Sequence, residues 1–230
     1  MEWYRSTEWS LGEQERFELK LRRARTENRG DYLRIKGLAL ESAGLIAAAR
    51  ALYVRAAVEA GGGEFTQSAA IEHLADSLFD DDPAESERLL RKIIAVNPTL
   101  NGTSHMEEVH LAELLIRRGT AEGMAESLEL LDSWDARGAG DFPAQLFEAA
   151  VARARWNNAA GETLAAAKWA GRALELAEPE SPLTETPGLA VQDPDDALVE
   201  WLSQLAERGT FGRARCARTD PSLIDPLNEK

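Results

Sequence analysis

Along most of the chain, apolar residues recur every third or fourth position, the period of a helix with one buried face. The clearest stretch is Asp31–Gly63. Leu33, Gly37 and Leu40 form one face of a first helix, which stops near Ser42-Ala43-Gly44. Ala48, Ala49, Leu52, Tyr53, Ala56 and Ala57 line a second helix, which stops at Gly61-Gly62-Gly63. Small residues at fixed spacing let two antiparallel helices approach closely, and larger ones fill the grooves between them. Upstream, Ser10-Leu11-Gly12-Glu13 reads as a capping box opening a helix over about Leu11–Thr26, with Phe17, Leu21 and Ala24 on its apolar face. Further helix pairs are predicted over 68–79 and 84–96, 107–118 and 121–134, and 143–157 and 161–177. A last amphipathic helix over about Asp196–Arg208 carries Leu198, Trp201, Leu202 and Leu205.

This helix–turn–helix design resembles the tetratricopeptide repeat, a unit of about 34 residues. The matches are Leu33, Gly37 and Leu40 in the first helix and Ala49, Tyr53 and Ala56 in the second, with Gly61 where that family often has proline. Asn97-Pro98 closes the second pair, and KWAGRALELAEP resembles the usual end of such a unit. The later units keep the helical period with fewer small-residue matches, which leaves a related helical-repeat geometry open. The resemblance spans roughly residues 30–178. It implies an all-α, right-handed α-solenoid of about four such units with N- and C-terminal flanking helices, since units of this kind bury their apolar faces only by stacking. Three segments follow: 1–29, an aromatic start and capping helix; 30–178, the repeats; and 179–230, an acidic, proline-rich connection, a capping helix and a loosely held tail.

The family implies peptide or protein binding in a groove lined by the first helices. In this frame the lining is Asn28, Arg29, Asp31, Arg34, Leu38, Glu72, His73, Asp76, His110 and Glu113. The best-known version of the groove clamps a C-terminal carboxylate. Arg34 stands at one clamp position, but Leu38 and Glu72 replace two asparagines, and Met106 and His110 replace the later cations. The sequence does not support that clamp.

Charge changes the picture of the partner. The chain has 40 acidic against 26 basic residues, a net charge of -14. Phosphate backbones are bound by Lys and Arg, so a nucleic-acid partner is not expected. The excess lies in the body, because residues 1–36 hold nine basic and seven acidic residues. An acidic body suits a basic protein surface. Cys216 is the only cysteine, which rules out an intrachain disulfide. MEWYRSTEWS lacks the basic start and apolar core of a signal peptide, and no run reaches the roughly 18 apolar residues of a membrane span. A cytoplasmic location is expected.

Candidate chemistry is sparse. His105, Glu107, Glu108, His110 and Glu113 fall close together, but a helical zinc site needs histidines four apart. A spacing of five turns the second imidazole about 140° from the first. Cys216 sits among Arg213, Arg215 and Arg218, which would favour its thiolate, with no histidine placed beside it. Gly61-Gly62-Gly63 ends a helix and is followed by Glu64-Phe65, unlike a phosphate loop. Asp80-Asp81-Asp82 lacks calcium-loop spacing and reads as a turn and helix cap. Trp134, Trp156 and Trp169 fall at core-like positions, whereas Trp3 and Trp9 read as a cap over the first unit, the alternative being an exposed patch. The sequence therefore points to a non-catalytic protein-interaction module with no cofactor and no metal. The alternative is a bacterial neutralising protein, of the immunity or antitoxin type, whose acidic surface covers a basic toxic enzyme.

Overall fold

A computed structural model of the 230-residue chain describes residues 2–59, 63–138, 140, 142–178 and 194–216, with side chains described to residue 208. Among the described residues every regular element is a helix, so the chain is all-α. The helices are α1 (Leu11–Arg23), α2 (Thr26–Ser42), α3 (Ile46–Val58), α4 (Gly63–Leu78), α5 (Pro83–Val96), α6 (Glu107–Arg118), α7 (Ala121–Ala136), α8 (Pro143–Ala159), α9 (Thr163–Ala177) and α10 (Asp196–Cys216). The chain divides into two compact units, Met1–Leu114 and Leu115–Lys230.

In the first unit α2 packs on α3, α3 on α4 and α4 on α5, and α2 also meets α4. Gly37 explains how closely α2 and α3 approach: a methyl group there would sit 2.4 Å from Tyr53 Cε1. The Tyr53 ring is fully buried, and its hydroxyl donates to Glu41 Oε2 at 2.7 Å. Burial, reinforced by Glu41, holds that phenol well above its ordinary pKa. Phe17, Leu21, Leu33, Leu40, Leu52 and Tyr53 share one core, and Trp3, Tyr4, Trp9 and Tyr32 pack against it. Trp3 lies against Phe17 and Tyr32, with centroids 5.2 and 5.1 Å apart, and Trp9 against Phe17 at 5.6 Å, so both tryptophans cover the first helices.

Lys36 pins this aromatic strap. It is only 2% exposed, and its Nζ donates to the carbonyls of Ser6 and Glu8, 5.1 Å from the centre of the Trp9 ring. Burial lowers its pKa, against the pull of Glu13 and Glu8.

Three helix boundaries differ from the expected ones. The helix expected to reach Thr26 ends at Arg23, and Thr26 already opens α2. Ala24 and Arg25 are extended there because Arg29 donates to the carbonyls of Arg22 and Ala24, at 3.0 and 3.2 Å, satisfying groups that a continuing helix would have used. The α4 helix begins at Gly63 rather than Ser68 because Thr66 hydrogen-bonds Asp31 and Phe65 packs under Gly102. The last helix runs to Cys216, past the expected end at Arg208 and into the segment expected to be a tail. Gly61, Gly62 and the stretches 179–193 and 217–230, including Arg218, lie outside the described residues.

The caps follow their sequence signals at Asp82, whereas the capping box expected over Ser10–Glu13 forms only its serine half. Ser10 Oγ accepts from Glu13 N–H at 3.4 Å, while the Glu13 carboxylate pairs with Arg16. Asp82 caps α5 ahead of Pro83, and its neighbour Asp81 pairs with Arg50 at 2.6 Å. Thr120 caps α7.

In the second unit α7 packs on α8, α8 on α9 and α9 on α10. The α8–α9 contact is lined by Ala150, Ala154, Ala166, Ala170 and Ala173, with Phe147, Val151, Leu202 and Leu205 completing the core. Trp134 is buried, Trp156 Nε1 donates to the Met124 carbonyl at 2.8 Å, and Trp169 lies under the Arg153 guanidinium at 5.6 Å.

Candidate functional site

The α2 helix carries two stripes. Leu33, Gly37 and Leu40 point into the core, whereas Ile35, Leu38, Ala39 and Ser42, spaced i, i+3, i+4 and i+7, line an open cavity. Its volume is about 480 Å³, and Arg34 and Arg5 complete the wall, the latter brought in by the aromatic strap. Leu38 is 36% exposed.

Behind the cavity α2 meets α4 through charged side chains. Arg34 Nη1 lies 3.2 Å from His73 Nε2. A guanidinium only donates, so Nε2 accepts and the His73 proton sits on Nδ1. Burial, then the Arg34 charge, pushes the His73 pKa down, which keeps the imidazole neutral. Asp31 faces Arg34 at 3.7 Å and accepts from the Thr66 hydroxyl at 3.2 Å. One step along, Asp76 on α4 pairs with His110 Nδ1 on α6 at 3.0 Å. Asp31, Arg34 and His73 thus link α2 to α4, and Asp76 and His110 separately link α4 to α6.

The other expected lining residues sit elsewhere. Asn28 is half-buried near the start of α2. Arg29 closes the end of α1 and reaches Glu59 at 4.0 Å. Glu72 and Glu113 are buried, 3% and 7% exposed. Glu72 accepts from the Ser104 N–H at 2.8 Å. Burial and the neighbouring Glu107 push its carboxyl up to about 7.

Sequence reasoning misses Arg5, Ile35, Ala39 and Ser42 as cavity residues, although the 35-38-39-42 spacing is visible once α2 is granted a second face. It weighs Glu107 as a metal ligand and prefers an acidic residue favouring the dipole at a helix start, not a buried carboxyl. That residue is fully buried, and its pKa is raised by the burial. Its carboxyl oxygens have no hydrogen-bond partner. Thr103 is close enough to pull its pKa the other way, but the Thr103 hydroxyl proton goes to the Leu100 carbonyl at 2.6 Å.

Among the described residues no group of three or more His, Cys, Asp or Glu side chains is arranged to hold a metal ion. His105 precedes α6 with φ 64°, so the two histidines do not share a helix. The Cys216 side chain lies outside what the structure describes. None of the described helices is long and apolar enough to cross a membrane. No protein-family model matches the chain, nor does any curated protein or solved structure.

Proposed function

We propose that this chain is a non-catalytic protein-interaction module, built from about four tetratricopeptide-like helix pairs stacked as a right-handed solenoid. It holds an extended peptide or partner segment on the outer face of α2, with an acidic residue against Arg5 and Arg34 and an apolar one on Leu38. The observation that carries this reading is the open cavity of about 480 Å³ lined by those three residues. The five N–H groups of the Arg34 guanidinium have His73 and, more distantly, Asp31 as partners, which leaves donors for a ligand carboxylate. Support for the repeat frame comes from α2 packing on α4 as well as on α3, the relation that successive first helices have in stacked pairs. The close approach at Gly37 and Tyr53 fits the same frame. A catalytic role finds little support: the carboxyls with raised pKa, Glu72 and Glu107, are sealed from solvent, and the cavity wall offers no acid–base pair.

The test is selection from a randomised peptide library followed by fluorescence anisotropy. Enriched peptides should pair an acidic with an apolar residue and bind with Kd on the order of micromolar. Leu38→Asp should weaken binding about tenfold or more without lowering Tm, because that side chain reaches the surface; Arg34→Glu should weaken binding as much and also lower Tm, since His73 and Asp31 lose their partner. Enrichment of unrelated peptides, or binding indifferent to both substitutions, would overturn the reading.

The net charge of -14 favours a second reading, a neutralising protein that covers a basic enzyme. That complex should weaken steeply with added salt, whereas the α2 cavity should lose little more than its arginine contacts.

A further inference from the structure

The connection between α5 and α6, residues 97–106, is tied to α4 at three points. Phe65 packs under Gly102, where a methyl group would lie 2.8 Å from Phe65 Cβ. Asn97 Nδ2 donates to Ser68 Oγ at 3.2 Å, and the Ser104 N–H donates to Glu72 Oε1 at 2.8 Å. Positions 65, 68 and 72 are spaced i, i+3 and i+7, so the connection lies along one face of α4.

It lies there under strain. Leu100 and His105 have φ of 53° and 64°, a left-handed backbone that costs any residue but glycine. Such a conformation persists only where surrounding contacts enforce it. Two of the three ties are packing and a neutral hydrogen bond. The third ends on a carboxyl group, buried beside a second one.

No arginine or lysine is described against that pair; His110 lies near enough to favour the charge of Glu107, while Asp76 opposes ionisation of both groups. The Arg34 contacts go to His73 and Asp31, and His110 is turned to Asp76. Tyr53 on α3 donates to Glu41. Glu72 itself has the Ser104 amide. Glu107 opens α6, where the helix dipole favours its charge, yet both its oxygens are buried without a hydrogen bond. Glu108 and Glu113 on the same helix add negative groups, not positive ones. Two carboxylates cannot both ionise cheaply in such a place.

We propose that Glu72 and Glu107 are a proton-operated latch: while the pair keeps a proton it seals the 97–106 connection onto α4, and when both groups are ionised their repulsion releases it. The working range lies near neutrality, since burial and Glu107 push Glu72 up to about 7 and burial raises Glu107 as well. Release uncovers Ser68 and Glu72 on α4, beside His73 and Asp76 and next to the already exposed Phe65. The latch stands whether or not the α2 cavity binds a peptide.

Amide hydrogen exchange on the full chain tests it, with rates corrected for intrinsic pH dependence. Between pH of about 6 and about 8.5, protection of residues 97–106 should fall about tenfold or more, roughly one pK unit's worth, while the α2–α3 pair keeps its protection. Glu72→Gln and Glu107→Gln should hold protection at the higher pH. Carbon-detected NMR titration of the unaltered chain supplies a readout that needs no variant: the Glu72 carboxyl should titrate near neutrality. Protection that does not change with pH, or a Glu72 midpoint in the ordinary carboxylate range, would overturn the latch.

Discussion

The α2–α3 and α8–α9 pairs solve the same packing problem in opposite ways. In the first, one glycine admits one large ring: Gly37 faces Tyr53, and a hydroxyl bond to Glu41 fixes the ring's position. In the second, the approach is spread over alanines, including Ala154, Ala166 and Ala170, each fully buried and none indispensable by shape. A knob in a single hole is specific and intolerant. A run of small contacts is tolerant, because each carries only a methyl group's worth of burial, about 0.8 kcal/mol.

The sharpest way to break this comparison is to change one small residue in each pair. Gly37→Ala places a carbon 2.4 Å from Tyr53 Cε1 in a ring with no room to move, and should cost about 3 kcal/mol or more. Ala154→Gly removes one buried methyl and adds backbone freedom, for a loss of about 1–2 kcal/mol. Urea unfolding monitored by circular dichroism gives both values. Equal losses would mean that the Gly37–Tyr53 contact is no tighter than an alanine seam.

The next effect is set by pH and should touch only the first unit. Glu72 has its pKa raised in the fold, from 4.5 to about 7. A carboxyl of this kind stabilises fully below its unfolded pKa, and the contribution is lost as pH rises through the folded value. The full shift corresponds to about 3 kcal/mol, lost between about pH 4.5 and 7. Thermal unfolding across that window should show Tm falling as pH rises, and Glu72→Gln should flatten the slope. The second unit offers a contrast in Arg153, whose charge is met by both Asp132 and Asp135.

The strap comes third. Lys36→Met keeps the apolar stem but leaves the Ser6 and Glu8 carbonyls without their donor, an effect of about 1–3 kcal/mol confined to residues 2–10. Trp3 and Trp9 should then redden in fluorescence and become quenchable, at a temperature where circular dichroism is unchanged. Simultaneous loss of helix signal would mean that the strap holds the first core together rather than lying on it.

These cases mark what could be read from the chain alone. The α2–α3 pair was legible because its glycine, alanines and tyrosine have a spacing that serves only close helix packing. The repeat frame also set Arg34 beside His73 and Asp76 beside His110 as groove lining, because aligning helix pairs puts equivalent first helices side by side; that these pairs bond to each other was not read from the sequence. The α1–α2 break was not legible, since Ala24-Arg25 carries no proline or glycine and the break depends on Arg29 reaching back for two carbonyls. Arg5 joins the cavity only because Lys36 folds the strap over. Glu72 belongs to a groove by its position in the repeat frame alone. It is buried because a connection with two left-handed residues lies over it, and no local residue preference encodes that backbone.

The smallest effect separates shape from polarity at the hole itself. Tyr53→Phe keeps the ring against Gly37 and removes only the hydroxyl that donates to Glu41 at 2.7 Å. Glu41 is half-buried, so water can replace the lost partner, and the cost should be about 1 kcal/mol. If the glycine contact sets the helix approach, Gly37→Ala should stay as damaging in the Tyr53→Phe background as in the original, and the two losses should add. If the hydroxyl bond is what holds the ring rigid, Tyr53→Phe will let the ring tilt and relieve the clash, so the double variant will lose clearly less than the sum. A double-mutant cycle of urea midpoints decides between them, and a coupling above about 0.5 kcal/mol would shift the specificity of this pair from the glycine to the tyrosine's polar anchor.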